Sequence, residues 1–489
     1  MKLRVLLFAV LAVTILCSSW TAAKDDEIET PRLTKTGPLT PDDLFEIALR
    51  HSPDHQKTVY DASLNGVGVR SAWGTLLPSL DVGFSISQSS FFTQTYIEAD
   101  GTVSEYPRRE LIPAPVQFID DSTGYSWIGW DPSADSLEFV YDAAEEKTRS
   151  SNAWVSLQET INLGGQQYFG IRNANISSRI NDLSVSASEM GLLFSIRSQY
   201  YAVLSNQRLL ELAIEVLEQK KEQHRLAKAR YEVGSVTELD VLQAEIDVGN
   251  QENAIISAEN DLKIAQEELN RVLGVALDSE FELVDNFSIF EPTYSLNELV
   301  QSAIIGRPDY QQYLESERMQ ANNVHIYRGQ FFPNLSASLR HSRSENSGAN
   351  VDFTTEPRNR NTTLSLSLTW NIFSGFSDEE QYQQARVNLK KAKHDLKSQE
   401  QLLEQDVREA YYNLLETHKQ SRVTEKNQEL ASRQLALEQE RYRLGATSQL
   451  NLRTAQVTYE QAKADYISNV FTFWSNLASL EYSIGKRLQ

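Results

Sequence analysis

Four short stretches of the chain alternate apolar with small polar residues. Leu80, Val82, Phe84 and Ile86 alternate with Asp81, Gly83 and Ser85. Val155, Leu157 and Ile161 alternate with Ser156 and Thr160, although Glu159 interrupts the apolar side. Leu335, Ala337 and Leu339 alternate with Ser336 and Ser338, and Leu364, Leu366, Leu368, Trp370 and Ile372 with Ser365, Ser367 and Thr369. A period of two predicts strands at about 79–88, 153–162, 334–343 and 362–372. Each stretch is close to the ~9–11 residues with which a tilted strand crosses a bilayer. The Ser- and Thr-rich polar side suits the wall of a membrane barrel, and the alternation alone suits a soluble sandwich equally well.

Elsewhere the period changes to that of a helix. Ser377–Arg443 contains neither glycine nor proline, and Ser377 with Glu380 reads as a capping box at its start. Its apolar residues recur in steps of four, three and four, at Ala385, Leu389, Ala392 and Leu396, then at Leu403, Val407, Ala410 and Leu414. That is a narrow packing stripe. At ~1.5 Å per residue the helix reaches ~100 Å, and a second one from Gln166 to Val233 reaches about the same. A globule of this mass is roughly half as wide, so such helices belong in coiled coils. Each is followed by a glycine, Gly234 or Gly445, and then by a second helical stretch, 237–272 or 448–484. Glycine accepts the left-handed backbone that ends a helix, so two helical hairpins are predicted, at 166–273 and 377–485.

The two hairpins are copies. Tyr200-Tyr201 recurs as Tyr411-Tyr412, Arg230-Tyr231 as Arg441-Tyr442, Gly234 as Gly445, Ala244 as Ala455 and Gly274 as Gly485. All these pairs lie 211 positions apart. Upstream, Pro53 in "RHSPD" matches Pro308 in "IGRPD", and Pro78 in "LLPSL" matches Pro333 in "FFPNL", both 255 apart. The first copy therefore carries 44 extra residues, which must fall within 89–152. The chain divides into repeats at 24–289 and 290–489, each built as strand, strand, long helical hairpin. Four strands are too few to close a barrel, so copies of the chain must complete one.

Composition refines this picture. Glycine (21) and proline (13) are sparse for 489 residues, as long helices require. The net charge of −21 argues against nucleic acid as a partner, because phosphate contacts need a basic face. Residues 1–23 read as an export signal: Lys2 and Arg4, an apolar run Val5–Leu16, then Thr21-Ala22-Ala23. Cys17 is the only cysteine and falls within that segment, with bulky Leu16 before it where lipid attachment prefers a small residue. The 89–152 segment has twelve acidic and four basic residues, together with Tyr96, Tyr106, Tyr125, Trp127, Trp130, Phe139 and Tyr141. Long barrel loops face outward, so an external loop is expected. Trp154 and Trp370, near strand ends, read either as an interfacial aromatic girdle or as residues buried between subunits.

Candidate chemistry is thin. His51 and His55 are four apart but Pro53 lies between them, and no glutamate beside His51 completes a zinc-protease pattern. "GVGVRS" from Gly66 lacks the third glycine of a dinucleotide loop. Three methionines and one cysteine give no soft-metal relay. No enzyme, cofactor or metal site is expected.

The duplicated order of helix, "LLPSL" or "FFPNL", two strands, "NLGG" or "NIFSGF", long helix, "RYEVG" or "RYRLG" and returning helix resembles the TolC family of outer-membrane efflux proteins. The resemblance implies an α+β membrane protein that acts as a homotrimer. Its twelve-stranded β-barrel would sit in the outer membrane of a Gram-negative cell, among outer-membrane lipid, and continue as an α-helical tunnel through the periplasm. The implied function is an exit duct for small toxic molecules, served by a periplasmic adaptor protein and an inner-membrane pump of the RND or ABC type. A type I protein-secretion duct, or a secreted coiled-coil scaffold with no pore, are the alternatives. Carried over by matching position, Val233, Gly234, Ser235, Leu444, Gly445 and Ala446 become adaptor-docking tips. Asp240 and Tyr442 become a bonded pair at a closed entrance. An arginine that relatives place two residues after the second tip glycine is Thr447 here, and two aspartates of cation-selective relatives are Asn451 and Thr454. A polar, less charged constriction with weaker cation preference is expected there.

Overall fold

The computed structural model describes residue 31 and residues 37–97, 103–107, 144–285, 287–347 and 359–488, with the strand segments 88–97, 103–107, 144–149 and 346–347 described by backbone alone. The expected leader, Cys17, and Tyr125, Trp127, Trp130, Phe139 and Tyr141 lie outside the described residues. Contacts group the chain into a strand unit, Gly74–Leu163 with Phe332–Asn371, and a helical unit from the other described residues. Each repeat contributes to both.

The strand unit is one antiparallel sheet of β1 (Ser79–Ile97), β2 (Val103–Pro107), β3 (Ala144–Asn162), β4 (Asn334–Ser347) and β5 (Asn359–Thr369), in the order β2-β1-β3-β4-β5. Register puts Leu80, Leu157, Leu339 and Leu364 in one cross-strand row, and Asp81, Ser156, Arg340 and Thr363 in the next. Successive residues point to opposite sides, so the sheet has one apolar and one polar face. The apolar face is uncovered: Leu80, Val82, Phe84, Leu364, Leu366 and Leu368 are all exposed. Glu159 stays on that face, opposite Ala337.

Three strand expectations need correction. β1 and β3 have 19 residues each, about twice the predicted length, so both ends of the 89–152 segment are strand and not loop. In β1, Phe91-Phe92 is the reason: adjacent aromatics have high strand propensity but break the alternation that marks a strand in sequence; in β3, residues 144–152 have no large apolar residue to alternate. A short fifth strand, β2, also falls inside that segment. β5 runs 359–369 and not 362–372, because its partner strand ends at Asn334, and the preceding Pro333 has no N–H to extend the ladder.

The helical unit opens with α1 (Pro41–His51), α2 (Pro53–Ser63) and α3 (Asn65–Gly74), the last of which takes up the glycines of "GVGVRS". Next come the first hairpin, α4 (Gln166–Glu232) and α5 (Glu238–Leu273), then α6 (Leu296–Gly306) and α7 (Pro308–Arg328). The second hairpin, α8 (Ser377–Arg443) and α9 (Gln449–Ile484), ends the chain. α5 packs on α4, α4 on α9 and α9 on α8, so α5 and α8 are the free edges of this layer. α7 lies between α4 and α8 along their N-terminal parts. None of the described helices is long and apolar enough to cross a membrane.

The four hairpin helices stop in one way. The N–H groups of Gly234 and Ser235 reach back to the carbonyls of Tyr231 and Arg230, and those of Gly445 and Ala446 to Tyr442 and Arg441. Gly274 with Val275, and Gly485 with Lys486, repeat the arrangement. All four glycines have φ between 68° and 73°, the left-handed region that a Schellman cap requires. The start of α8 departs from expectation: Ser377 is the first helical residue and not the cap. The cap is Phe376 at φ 70°, and Ser374 Oγ accepts from the Asp378 N–H at 3.2 Å.

The duplication extends into the core. One buried cluster joins Leu44 and Ala48 of α1 to Leu192, Ile196 and Val203 of α4 and Leu269 and Leu273 of α5. A second joins Leu299 and Ala303 of α6 to Leu403, Val407 and Leu414 of α8 and Leu480 and Ile484 of α9. The members correspond one to one at the offsets read from sequence. Trp474 packs against both clusters and ties them together.

Candidate functional site

Each hairpin bends through a tight turn in which the cap glycine is followed three residues later by a new helix cap. At the first tip, Thr237 caps α5. Its hydroxyl accepts from the Asp240 N–H at 3.3 Å, while Asp240 Oδ2 accepts from the Thr237 N–H at 2.9 Å. At the second, Ser448 Oγ accepts from the Asn451 N–H at 3.3 Å. The reciprocal pair at the first tip and the single bond at the second satisfy N–H groups that a helix start leaves unpaired.

The six proposed docking residues all sit at the bends. Val233 (75 % exposed) and Leu444 (68 %) project apolar side chains next to the cap glycines, and Ser235 and Ala446 are exposed beside them. A Cβ at either Gly234 or Gly445 would meet nothing within 4 Å. The tips are thus small, open and partly apolar.

The expected Asp240–Tyr442 bond gives way to two others. Asp240 spends its carboxylate on the capping box with Thr237, a bond three residues away that costs little chain entropy to form. Tyr442 is buried under Arg230, whose guanidinium carbon lies 4.5 Å from the ring centroid. Arg230 also donates to the carbonyl oxygens of Tyr442 (2.7 Å) and Arg443 (3.1 Å), so one side chain holds the C-terminal turn of the neighbouring hairpin. Asp240 does take part in the seam through its backbone, accepting from Gln449 Nε2 at 3.3 Å. Asn451 and Thr454 are exposed on α9; Asn451 Nδ2 donates to Thr447 Oγ1 (3.1 Å) and Thr454 Oγ1 to the Leu450 carbonyl (2.9 Å).

Behind the tips, the α4–α9 and α5–α9 contacts are charged. Arg453 pairs with Asp247 (2.9 Å), Lys220 with Glu460 (3.1 Å) and Lys463 with Glu215 (2.5 Å). Burial works against the Lys463 ammonium, but its bonds to Glu215 and Tyr459 outweigh that and hold its pKa above the usual lysine range. Beneath them Ala431, Leu435, Leu452, Ala455 and Tyr459 form a small buried cluster with Tyr442.

Two side chains named from sequence acquire different settings. His55 is buried and its Nδ1 lies 3.2 Å from Ser188 Oγ, away from any partnership with His51. Trp154 is not on the apolar face of the sheet, where a lipid-facing girdle was expected. It lies on the polar face, over Gly83 and beneath Arg340, because its register partner is Gly83 and not an apolar-row residue. Trp370 follows β5 with the parity of Leu364, Leu366 and Leu368 and is exposed. Among the described residues, no cluster of three or more His, Cys, Asp or Glu side chains is arranged to hold a metal ion. The Arg230 clamp was missed in sequence although its signal was present: Arg230 heads the duplicated "RY" motif.

Comparison with known proteins places this geometry. The family model described as outer membrane efflux protein matches residues 119–275 and 299–485. Fusaric acid resistance protein FusA of Burkholderia cepacia is 22 % identical over 193 residues, 39 % of this chain but only 36 % of that protein. Outer membrane protein TolC of Salmonella enteritidis is 22 % identical over 354 residues, 70 % of this chain and 71 % of that protein. Among solved structures, the Campylobacter jejuni outer membrane channel CmeC superposes with a TM-score of 0.72 at 15 % identity, covering 92 % of this chain and 87 % of that one. The open-state outer membrane channel MtrE of Neisseria gonorrhoeae gives 0.69 at 16 % identity, covering 92 % and 89 %. With the family model matched across both hairpins, this chain belongs to the outer membrane efflux protein family, the family of TolC.

Proposed function

We propose that this chain is the exit duct of an efflux assembly. Three copies close β1, β3, β4 and β5 into a twelve-stranded barrel in the outer membrane, with the short β2 outside that count, and their helices form a periplasmic tunnel. A periplasmic adaptor docks at the tips and an inner-membrane pump, of the RND or ABC type, loads small toxic molecules into the duct. The observation that carries this reading is the sheet's two-faced register. Rows of Leu, Val, Ile and Phe stand exposed on one side and rows of Ser, Thr and Asn on the other, which is the division between lipid and water in a barrel wall. The helical layer supports the same closure. Its two free edges carry exposed apolar residues: Leu239, Leu242, Ile246, Ile256 and Ile264 on α5, and Val423, Leu430 and Leu437 on α8. Closing α8 of one copy on α5 of the next covers both.

Val233, Gly234, Ser235, Leu444, Gly445 and Ala446 are the docking surface in this reading. Asp240, Tyr442, Asn451 and Thr454 surround the constricted entrance, with Asn451 and Thr454 giving it a polar and uncharged lining. The test is the state of the purified membrane protein and what its tips touch. A trimer in detergent that resists carbonate extraction is expected, with Ser235→Cys and Ala446→Cys crosslinking to an adaptor. A monomer released by carbonate would replace the duct with a soluble scaffold.

A further inference from the structure

The polar face of the sheet is uniform except at one level. Among the described side chains it presents a hydroxyl or an amide at every position but four: Asp81, Gly83, Trp154 and Arg340. These four fall in two neighbouring rows, Asp81–Ser156–Arg340–Thr363 and Gly83–Trp154–Ser342–Asn361. They are also layered. The Trp154 indole lies so close over Gly83 that a Cβ there would come within 2.3 Å of its ring, and the Arg340 guanidinium carbon stands 4.5 Å from the ring centroid. Trp154 is half-buried and Arg340 is exposed, so the cation is the outermost part of the stack.

Each part has a physical use. Glycine at 83 makes room for a large flat ring on a face of small residues. The rigid indole holds a long side chain that would otherwise sample many rotamers. A guanidinium stacked by its flat side keeps its N–H donors at the rim, the geometry that grips a carboxylate or phosphate by two parallel bonds. Asp81 is the one acid among the described side chains of this face and lies two strands from Arg340, about 10 Å at ~4.8 Å per strand. Its Oδ2 accepts from the Ser79 hydroxyl at 3.4 Å. At roughly one Debye length it leaves the Arg340 charge uncompensated by contact.

We propose that Arg340, laid on Trp154 over Gly83, is a selectivity residue of the sheet: a fixed cationic station that favours solutes carrying a carboxylate or phosphate group. This rests on the reading that the polar face lines a water-filled passage, where three copies present the station three times. A charge repeated by symmetry around a channel biases which ions pass.

The test uses the full-length protein reconstituted in vesicles. The emission lost on Trp154→Phe isolates that indole, and it is quenched in turn by iodide, by caesium and by lipids brominated on their chains. Iodide is expected to quench more strongly than caesium, and Arg340→Gln to lower the iodide-to-caesium ratio about tenfold, because one unit charge at ~6 Å in water changes the local concentration of each ion about threefold and in opposite directions. The same ratio read on total emission, in the wild type against Arg340→Gln, avoids reliance on the Trp154 variant. In planar bilayers under a salt gradient, Arg340→Gln is expected to move the reversal potential toward cation preference. Quenching by brominated lipid in place of iodide would overturn the water-lined reading and this proposal together. Iodide access with a ratio and reversal potential indifferent to Arg340→Gln would overturn this proposal alone.

Discussion

Four glycines end the four hairpin helices with the same cap and nearly the same φ, yet they make two kinds of end. At the tips, Gly234 and Gly445 face open space. At the opposite ends, a Cβ on Gly274 would stand 2.1 Å from the His51 carbonyl oxygen, and one on Gly485 2.7 Å from the Gly306 carbonyl carbon and oxygen. The partner in each case is the bend that precedes a proline-started helix, His51-Ser52-Pro53 or Gly306-Arg307-Pro308. The duplicated "SPD" and "RPD" motifs are thus the docking seats of the duplicated cap glycines. The backbone angle explains all four glycines; close packing explains only two. Among the described residues nothing packs against the two tip glycines.

The largest expected effect comes from closing the buried ends. Gly485→Ala adds positive-φ strain to a clash with backbone that cannot rotate away, and it should cost about 3 kcal/mol or more. Gly274→Ala should match it. Thermal unfolding followed by helical circular dichroism measures both, and a loss near 1 kcal/mol would mean that the seats are loose. The same change at a tip, Gly234→Ala or Gly445→Ala, carries only the left-handed strain of ~1–2 kcal/mol. Trimer yield should survive while crosslinking to an adaptor falls. Equal destabilisation at both kinds of end would erase the distinction.

The tips also differ from each other. Tyr442 is 6 % exposed and Tyr231, its twin, 46 %. Arg230 crosses to the second hairpin, whereas its twin Arg441 pairs with Glu438 one turn back on its own helix. Arg230→Ala removes a stacked cation and two carbonyl bonds, a loss of about 1–2 kcal/mol concentrated at the tip. Arg441→Ala breaks an i,i+3 surface pair worth ~0.3–0.5 kcal/mol. Hydrogen exchange at 440–450 should quicken clearly for the first and barely for the second. If Arg441→Ala does more in the intact trimer than in isolated protomers, Arg441 reaches Tyr231 of the next copy, and the seam between chains repeats the seam within one.

The smallest effect at neutral pH is set near the buried ends, where Tyr200 and Tyr201 sit in the first-half core. Burial raises the Tyr201 phenol from 10 to about 12 and the Tyr200 phenol further. Because the folded-state values lie above the unfolded one, the stability linked to these groups is complete below pH 10 and is lost as pH rises through 12. Alkaline unfolding should begin in that window. Tyr201→Phe should leave the melting curve at pH 7 almost unchanged and shallow the fall between pH 10 and 12.

Much of this was legible in the chain. The absence of glycine and proline from 377–443 gave α8 to the residue, and the constant offsets anticipated two cores with matched members. What escaped did so for local reasons. Phe91-Phe92 hid the outer half of β1 behind a broken alternation, and the outer half of β3, at 144–152, has no large apolar residue to alternate. The Asp240–Tyr442 pairing overlooked that Thr237-x-x-Asp240 is itself a capping box, and a bond three residues away outcompetes one that spans two hairpins. Parity would have placed Trp154 correctly, since Val155 and Leu157 already claim the apolar face. Arg230 could be suspected from its repeat, but its direction could not, because the duplicated sequence gives both arginines the same neighbours and only the order α5-α4-α9-α8 tells them apart.

Val423, Leu430 and Leu437 recur every seven residues along the uncovered edge of α8, and Leu444 continues the series into the tip. In a three-copy assembly that ridge belongs as much to the adjacent subunit as to its own, so a lone protomer is an aggregation hazard and its stability depends on protomer concentration. Co-expression follows the same logic: a variant damaged along this ridge would enter complexes with sound copies and disable them, making a recessive-looking surface change behave as a dominant one.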